Sequence, residues 1–466
     1  MSEQLDGRLA VMKNAPPFKA IIKLSVPVIM GMLVNVAYNL ADTFFIGLLG
    51  DEHQMAAASV SMPVFIVMMA LASLIGTGGA SFLSRSLGAG HNEKAKKTLV
   101  TCLLLMLVFG AVVAVVGLLL IRHIPNLLGA TGYSYGYTRQ YVSVLIIGGV
   151  FTISNFALGQ LIRAEGSVMA SMAGMLMGLL LSISLDPLFI FVFNWGVTGS
   201  AVATVIGNAA SAAFFLSRYL RRKTVVRLSI KQFSFDKEIF REIFTIGIPV
   251  TLGQMLVSLS QMLGNNIAGS YGDTYIASLG IAMRVMTIGT FVFMGFGAGC
   301  QPLMGYNYGE GNFDRLLKLI KTALVMSTVL GAVLAAGLWL SSGFILHAFS
   351  PSYDVHVMSA SVLRVLVLSL PFMGGITLCS ITFQAMGKPI RAFIITVSRQ
   401  GLLFIPLLFT LNSFFAFRGM VFAQPIADFI MIIISAIFLI VTIRGIAKAG
   451  SIGIIKLKGE IFNEST

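Results

Sequence analysis

Apolar residues in this chain gather into long stretches that short polar or glycine-rich segments interrupt. The hydrocarbon core of a bilayer is about 30 Å thick, and an α-helix needs about 20 mostly apolar residues to cross it. The stretches that meet this length cover residues 21–46, 56–82, 98–120, 138–161, 168–192, 198–219, 242–266, 276–300, 318–346, 357–383, 391–413 and 420–443. The pattern therefore predicts an all-α membrane protein with twelve transmembrane helices.

Composition agrees with this class of protein. Of the 466 residues, 57% are apolar and 11% are charged, whereas about 25% are charged in a typical soluble domain. These values exclude an ordinary soluble enzyme and a disordered chain. The three cysteines lie in apolar stretches without a CxxC pair, and metal-binding and nucleotide-binding motifs are absent, so we expect neither a metal nor a cofactor.

The basic residues predict the orientation in the membrane. All but six of the 32 lie at the N-terminus, at the C-terminus or in the loops that follow even-numbered spans. The exceptions are Arg122, Arg139, Arg284, Arg364, Arg399 and Arg418. Loops rich in Lys and Arg remain on the cytoplasmic side of a membrane, so we expect both termini in the cytoplasm. We expect the chain in the inner (plasma) membrane of a prokaryote. Lys13, Lys19 and Lys23 precede the first stretch, which we interpret as a span and not as a cleavable signal.

The two halves of the sequence repeat each other. Ile21–Gly31 aligns with Ile243–Gly253, and Pro27 falls on Pro249. The glycines that follow span 2 and span 8 align in the same register. Six spans in each half give both halves one orientation, which is typical of transporters that open to alternate sides of the membrane. We predict lobes at 1–220 and 242–445, a basic cytoplasmic linker at 221–241 and a cytoplasmic tail at 446–466.

Few acidic residues lie inside the spans. Of the eighteen Asp and Glu residues, only Asp42, Asp186 and Asp428 lie well within the apolar stretches. A charged side chain at mid-helix costs about 2.5–3.5 kcal/mol on insertion scales, so each position requires a reason.

In span 1, polar residues share a helical face with Asp42. Asn35, Tyr38, Asn39 and Asp42 follow the spacing i, i+3, i+4, i+7.

Spans 5 and 6 carry similar pairs. Ser182 precedes Asp186 by one turn, and Thr204 precedes Asn208 by one turn. Together the three faces would place two carboxylates among hydroxyl and amide oxygens. Such a site can hold a proton, or it can replace the hydration oxygens of Na⁺. The alternative is that these polar groups only join helices. We predict a site for H⁺ or Na⁺ at Asp42, Asp186, Asn39, Tyr38, Thr204 and Ser182.

The second half differs from the first in its polar residues. Span 7 has a polar face without an acidic residue, and span 10 has no acidic residue either. We expect the cavity for a transported molecule to be lined by Asn35, Asn155, Asn208, Gln254, Ser258, Gln261 and Asn265.

Asp428 in span 12 has two candidate partners, Arg284 in span 8 and Arg399 in span 11. A buried ion pair that stabilises helix packing is the preferred interpretation, and a second titrating site is the alternative. Pro27 is the expected hinge of span 1, because proline removes a helical hydrogen bond.

Several motifs together resemble the multidrug and toxic compound extrusion (MATE) family over nearly the whole chain. They are Pro27 with Asn39-x-x-Asp42 and Gly47, Asp186-Pro187, Gln301-Pro302 with Gly305-Tyr-Asn-Tyr-Gly309, and Gln424-Pro-Ile-Ala-Asp428. The acidic pair in spans 1 and 5, without acids in spans 7 and 10, is similar to the DinF-like and MepA-like branch. The sodium-coupled NorM-like branch carries a Glu and an Asp in those later spans.

The resemblance implies a V-shaped, alternating-access fold that exports amphipathic, often cationic drugs through a central cavity between the lobes. Asp42, Asp186, Thr204, Asn39 and Tyr38 would line its cation or proton site. Ser182 departs from the branch, which often has Asn there, so one amide oxygen for sodium is missing.

Two other functions fit the sequence less well than drug export. A flippase for lipid-linked or glycan precursors, from the same broad superfamily, would have a strongly basic cavity, and basic residues at mid-span are few here. An intramembrane enzyme would need a nucleophile with its base, or metal ligands, at depth, so we expect no catalytic residues. The expected partners are small-molecule drugs or toxins and the lipid bilayer. We expect no nucleic acid, and a chain that works as a monomer.

Overall fold

The computed structural model describes residues 9–130, 132–221, 223–228, 236–347 and 353–463. The described residues form helices joined by short turns, and no strand occurs among them. The predicted linker at 221–241 is described only in part, and the side chains of the predicted tail at 446–466 lie outside the description. The domain boundaries therefore stay predictions.

The helices follow one another along the chain with short connections. In order they are α1 (Pro17–Gly47), α2 (Glu52–Gly88), α3 (Asn92–Leu119), α4 (Ser134–Ile147), α5 (Gly149–Ala164), α6 (Val168–Pro187), α7 (Gly196–Leu220), α8 (Lys237–Gly269), α9 (Asp273–Gly309), α10 (Phe313–His347), α11 (Tyr353–Leu366), α12 (Leu370–Ala385), α13 (Pro389–Val397) and α14 (Ile405–Asn463). Single turns lie at Ile124–Leu127 and Val367–Ser369, and π-helical turns at Leu188–Val192 and Ser398–Phe404.

The number of membrane crossings agrees with the hydrophobic pattern. Ten of the described helices are long and apolar enough to cross a bilayer, and α4 and α5, bent by 51° at their junction, form an eleventh crossing. The last of the ten, Pro389–Gly445, has 57 residues, far more than the roughly 20 that one crossing needs. Its backbone breaks at Ala416, where φ is 52° and ψ is −144°. Two crossings meet there, so the predicted all-α fold with twelve spans is confirmed.

Local sequence explains where several helices begin and end. Asp51 caps α2 by accepting a hydrogen bond from the His53 amide, and Asp236 caps α8 through the Glu238 amide. Shortly after α2 and α9, Gly90 and Gly311 adopt φ values of 73° and 74°, a region that side chains disfavour. These glycines occupy equivalent positions of the repeat, so both halves turn in the same way.

Two lobes contact each other mainly through four helices. The first lobe contains α1–α7 and the second contains α8–α14, and the main contacts between them are α1 with α9 and α2 with α8 and α9. One apolar core continues across both lobes and includes Met12, Leu24, Ile243 and Tyr306. The lobes therefore join at the end that carries the α2–α3 and α9–α10 loops.

Glycines bring the two backbones together at this junction. A Cβ atom on Gly78 of α2 would collide with the Ile243 carbonyl of α8, and one on Gly247 would collide with the Leu74 carbonyl. A Cβ atom on Gly88 would likewise collide with the Tyr306 carbonyl, and one on Gly309 would collide with the Arg85 carbonyl. Small residues allow membrane helices to approach closely, which increases van der Waals contact where no hydrophobic force joins them.

Ion pairs cross the same junction at its periphery, near the α2–α3 loop. Arg85 contacts Glu242 at 2.7 Å and Lys94 contacts Glu238 at 2.8 Å, both from the first lobe to the second. Lys13 contacts Glu310 at 2.9 Å. The hydrogen bond to Glu310 and its negative charge raise the pKa of Lys13.

The helical segment 9–14, which precedes α1, is held by the second lobe. The Met12 carbonyl accepts hydrogen bonds from Asn307 Nδ2 and from Arg315 Nε, at 3.1 and 3.2 Å. Arg315 Nη2 also donates to the Ala15 carbonyl at 2.6 Å. The start of the chain thus adds to the contact between the lobes.

The glycine contact predicts a stability difference between two positions of α8. Gly247→Ala should lower the melting temperature by several degrees, because a forced fit of this kind costs about 1–3 kcal/mol. Gly264→Ala, on the same helix with no atom within 4 Å of the new Cβ, is the matched control. Thermal unfolding in detergent, followed by intrinsic fluorescence, measures both. Equal melting temperatures for the two variants would contradict the contact.

Candidate functional site

The acidic face of α1 lines a cavity inside the first lobe. The cavity has a volume of about 130 Å³ and lies among α1, α2, α4 and α7. Its polar lining includes Tyr38, Asp42, Tyr141 and Thr204. Met55, Met62 and Phe65 supply apolar lining from α2. The pocket therefore combines one carboxylate with hydroxyl groups and an apolar wall.

Two hydrogen bonds join α1 to α7 in this pocket. The hydroxyl groups of Tyr38 and Thr204 are 2.7 Å apart, and Ser200 Oγ donates to Asp42 Oδ1 at 2.6 Å. Tyr38 and Asp42 are one turn apart, as are Ser200 and Thr204, so the bonds connect matching turns of the two helices. A bond to a carboxylate is stronger when the acid is ionised, so the link depends on the protonation state of Asp42.

Asp186 lies close to this pocket and is fully buried. Its side chain is 0% exposed, and neither carboxylate oxygen has a hydrogen-bond partner among the described residues. Asp186 lies within electrostatic range of Asp42. Pro187 ends α6 directly after Asp186, and the π-helical turn Leu188–Val192 follows. An ionised carboxylate without partners is costly inside a membrane, so this position favours a neutral acid or a bound cation.

Two residues of the pocket were not among the predicted site residues. Tyr141 of α4 lines the cavity and lies near Ser200. Ser200 could have been found from its spacing, because it lies one turn before Thr204 as Tyr38 lies one turn before Asp42. Tyr141 could not have been found in this way. It lies on α4, and only the tertiary fold brings α4 against α7.

Ser182 does not line this pocket in the described structure. Ser182 Oγ donates to the Ala203 carbonyl at 3.2 Å and lies against Gly207, so it joins α6 to α7. The Asn39 side chain lies outside the described residues. Asn35 lies on α1 and is partly buried.

Two asparagines predicted to line a transport cavity contact each other. Asn155 Nδ2 donates to Asn208 Oδ1 at 2.8 Å, and Asn208 Nδ2 donates to Thr152 Oγ1 at 3.2 Å. Asn208 is buried. This network joins α5 to α7, which is the helix-packing alternative for these side chains.

A second cavity lies between the lobes, with a volume of about 280 Å³. Helices α1, α2 and α5 line it from the first lobe, and α8, α9, α12 and α13 line it from the second. Its polar side chains are Ser73, Thr77, Gln160, Arg163, Gln254, Gln301, Thr377, Ser380, Gln384, Thr396, Arg399 and Gln400. The charged groups of this lining are therefore two arginines.

The predicted polar face of α8 divides into two parts. Gln254 lines the interlobe cavity and its Nε2 donates to Ser73 Oγ at 3.3 Å. Ser258, Gln261 and Asn265 lie further along α8 and are exposed. Polar side chains avoid lipid, so this face indicates an opening between the lobes beyond Gln254.

Arg399 and Asp428 form a buried ion pair in the second lobe. Arg399 Nε donates to Asp428 Oδ1 at 2.7 Å and Nη2 donates to Oδ2 at 3.1 Å. Gln424 Nε2 adds a third bond at 3.0 Å. Arg284 is exposed on α9 and forms no ion pair with any residue that the structure describes. The structure thus brings Asp428 together with one of its two candidate partners.

Pro27 lies in the middle of the contact between α1 and α9. Cβ atoms on Gly299 and Gly295 would touch Ser25 and Ile29, the residues two positions before and after it. Ser25 Oγ also donates to the Phe296 carbonyl at 3.1 Å. The same helix therefore carries the acidic pocket at one end and the interlobe contact at the other.

Comparisons with known proteins point to one family. The family model MatE matches residues 27–188 and again 249–410, which reproduces the repeat. The multidrug export protein MepA of Staphylococcus aureus is 33% identical over 423 residues, which cover 91% of this chain and 93% of that protein. MepA of Staphylococcus haemolyticus is 32% identical over 439 residues, which cover 94% and 96%.

A solved structure has the same fold. The outward-facing conformation of a multidrug resistance MATE family transporter superposes with a TM-score of 0.89 at 26% identity. The match covers 94% of this chain and 98% of the other. The resemblance read from the motifs is confirmed, and the chain belongs to the MatE family of multidrug and toxic compound extrusion proteins.

Proposed function

We propose that this protein is a secondary active multidrug exporter. It exchanges inward protons or sodium ions for amphipathic, often cationic small molecules that leave the cell. The observation that carries the proposal is the buried acidic pair, in which Asp186 has no hydrogen-bond partner among the described residues and lies within electrostatic range of Asp42. Relatives whose names describe multidrug export also support the proposal that this protein is an exporter.

The geometry favours a proton as the coupling ion. The hydroxyl groups around Asp42 already bond to each other or to the carboxylate, and Ser182 bonds to a backbone carbonyl. Sodium would need several of these oxygens to turn away from their partners, because it requires replacement of its hydration shell. A proton on Asp186 removes the buried charge without any rearrangement.

The proposed transport step starts from a change on α1. Neutralising Asp42 weakens its bond from Ser200, since bonds to charged acceptors are roughly twice as strong as neutral ones. Helix α1 is then less firmly held by α7, and Pro27, which leaves the Lys23 carbonyl without its helical partner, lets it bend. Because α1 also packs on α9, the bend changes the contact between the lobes.

The orientation follows from the positive loops. The closed end of the molecule carries the basic loops, which we place in the cytoplasm with both termini. The exposed polar face of α8 then lies toward the outside, so this conformation is open outward. Arg85–Glu242 and Lys94–Glu238 close the inner side.

A small driving force is enough for useful export. When one proton or sodium ion enters for each neutral molecule exported, one net charge moves inward, and 100 mV then supplies about 2.3 kcal/mol. At about 1.4 kcal/mol per factor of ten, this supports roughly a forty-fold drug gradient. The proposed cell is a bacterium, with the protein in its plasma membrane as a monomer.

The acidic pair generates the first test of this function. Asp42→Asn and Asp186→Asn should each reduce gradient-driven export of a cationic dye to background in proteoliposomes, because an amide cannot bind and release the proton. A proton gradient alone and a sodium gradient alone identify the coupling ion. Asp354→Asn, at an exposed position of α11, is the control that should export normally. Normal export by both site variants would rule out the acidic-pair mechanism.

The inner ion pairs generate a second test. Glu242→Lys places a like charge beside the half-buried Arg85 and should shift the lobes toward an inward-open state by tenfold or more, since such repulsion costs several kcal/mol. Glu238→Lys affects the more exposed pair and should have little effect. Spin labels at His91 and Asp314, one on each lobe, would report the distance, because the three natural cysteines are buried.

The charge exchange is the control for this experiment. Arg85→Glu combined with Glu242→Lys restores attraction and should recover the short distance. If Glu242→Lys leaves the distance distribution unchanged, the pair does not hold the inner side closed.

A further inference from the structure

We propose that the interlobe cavity binds a carboxylate, with Arg163 and Gln301 as the groups that recognise it. This inference rests on the proposed function and defines a substrate class for the same cleft: amphipathic molecules that carry an acidic group in addition to, or instead of, a cationic one.

The charges that line the cavity are not balanced. Its charged side chains are Arg163 and Arg399. Asp428 neutralises Arg399 through two hydrogen bonds. Arg163 forms no ion pair with any acidic residue among those described. One positive charge therefore remains without a counter-ion between the lobes.

Only one of the three guanidinium nitrogens of Arg163 has a hydrogen-bond partner in the described part of the chain. It is 8% exposed, and its Nη1 donates to Ser171 Oγ at 2.8 Å and approaches Met175 Sδ at 3.9 Å. Ser171 in turn donates to the Gly159 carbonyl. A guanidinium has five N–H donors, and Nε and Nη2 have no partner in the described part of the chain. These two nitrogens form the fork that binds a carboxylate with two parallel hydrogen bonds.

A neutral donor from the other lobe lacks a partner as well. Gln301 Nε2 is buried and has no hydrogen-bond partner in the described structure, and Gln301 lines the same cavity. A buried donor without a partner destabilises the structure, so a bound acceptor there would be favourable. Arg163 belongs to α5 and Gln301 to α9, so an acceptor between them would satisfy donors of both lobes together.

Two further donors are suitably placed. Gln160 Oε1 accepts from Thr77 Oγ1 at 3.0 Å, which leaves its amide N–H groups for another acceptor. Gln254 lies on the wall that α8 contributes. Acceptors with the negative charge of a carboxylate match this set of donors and the free positive charge.

The size and apolar walls limit the ligand. Pockets that enclose a drug-sized molecule have about 300–1,000 Å³, so a cavity of about 280 Å³ takes the acidic end and an attached ring. Met32, Val250, Val257, Met294 and Ile376 supply apolar contacts. The remainder of the ligand would extend into the opening between the lobes.

A matched pair of ligands tests the proposal on the full-length protein in detergent, without any gradient. The probes are a rhodamine dye with a free carboxylate and the methyl ester of the same dye, and fluorescence anisotropy gives both dissociation constants. Arg163→Gln should weaken binding of the acid by about tenfold to a hundredfold relative to the ester, because bonds to charged groups contribute about 1.5–3 kcal/mol. Lys321→Gln, which removes one exposed positive charge outside the cavity, should leave the ratio unchanged.

A second variant guards against misfolding. Gln301→Met keeps the size of the side chain and removes the donor, and it should reduce the preference for the acid by a smaller factor. Arg163→Lys retains the charge without the fork and should fall between wild type and Arg163→Gln. A ratio that none of the cavity variants changes would overturn the proposal.

The outcomes distinguish this inference from the proposed function. If the ester is exported under a gradient and the ratio of dissociation constants is insensitive to Arg163, export stands and the carboxylate site is wrong. If the ratio depends on Arg163 but no gradient drives either dye, the site stands and coupled export is wrong.

Discussion

The hydrocarbon core of a bilayer contains no water, so every polar group there must find its partner within the protein. Many hydroxyl groups do so with carbonyls of their own helix, and other polar side chains pair between helices. Tyr38 bonds to Thr204, Asn155 to Asn208, and Arg399 to Asp428. Some buried polar groups have no protein partner in the described part of the chain, and some of these lie at the two proposed sites. Asp186 is one such group in the first lobe, and Arg163 and Gln301 form a second set between the lobes.

The contact between the lobes has a composition that suits motion. Glycines on α2, α8 and α9 let backbones touch, so the lobes are not locked by interdigitated large side chains at these points. Ion pairs with partly exposed side chains lie at the periphery of this contact, near the α2–α3 loop. A contact made of backbone surfaces and exposed charges can separate with little repacking. Helix α1 connects this contact to the acidic pocket, because Pro27 and its neighbours pack on α9 while Asp42 lies further along the same helix.

The repeat is symmetric in its framework and asymmetric in its chemistry. Gly90 and Gly311 turn with nearly equal φ angles, and Gly88 and Gly309 make equivalent contacts. The charged groups do not follow this symmetry. The first lobe holds the acidic pair near a hydroxyl-rich pocket, and the second holds a neutralised arginine–aspartate pair. A symmetric framework suits the proposed movement of one lobe against the other, whereas the proposed ion site needs to exist only once.

The sequence by itself determined the membrane class, the twelve crossings, the repeat and the family, because hydrophobic length, charge in loops and proline and glycine positions act locally along the chain. It also placed Tyr38 and Asp42 on one face, since helical spacing sets that. It did not determine which faces meet. Tyr141 lines the acidic pocket, and Ser182 bonds to a backbone carbonyl. Arg163 lines an interlobe cavity, although the positive-loop rule assigned it to the inner side. These outcomes depend on how distant helices pack, and a side chain one position around a helix contacts a different neighbour. Only the tertiary structure could therefore show which buried polar groups were left without partners.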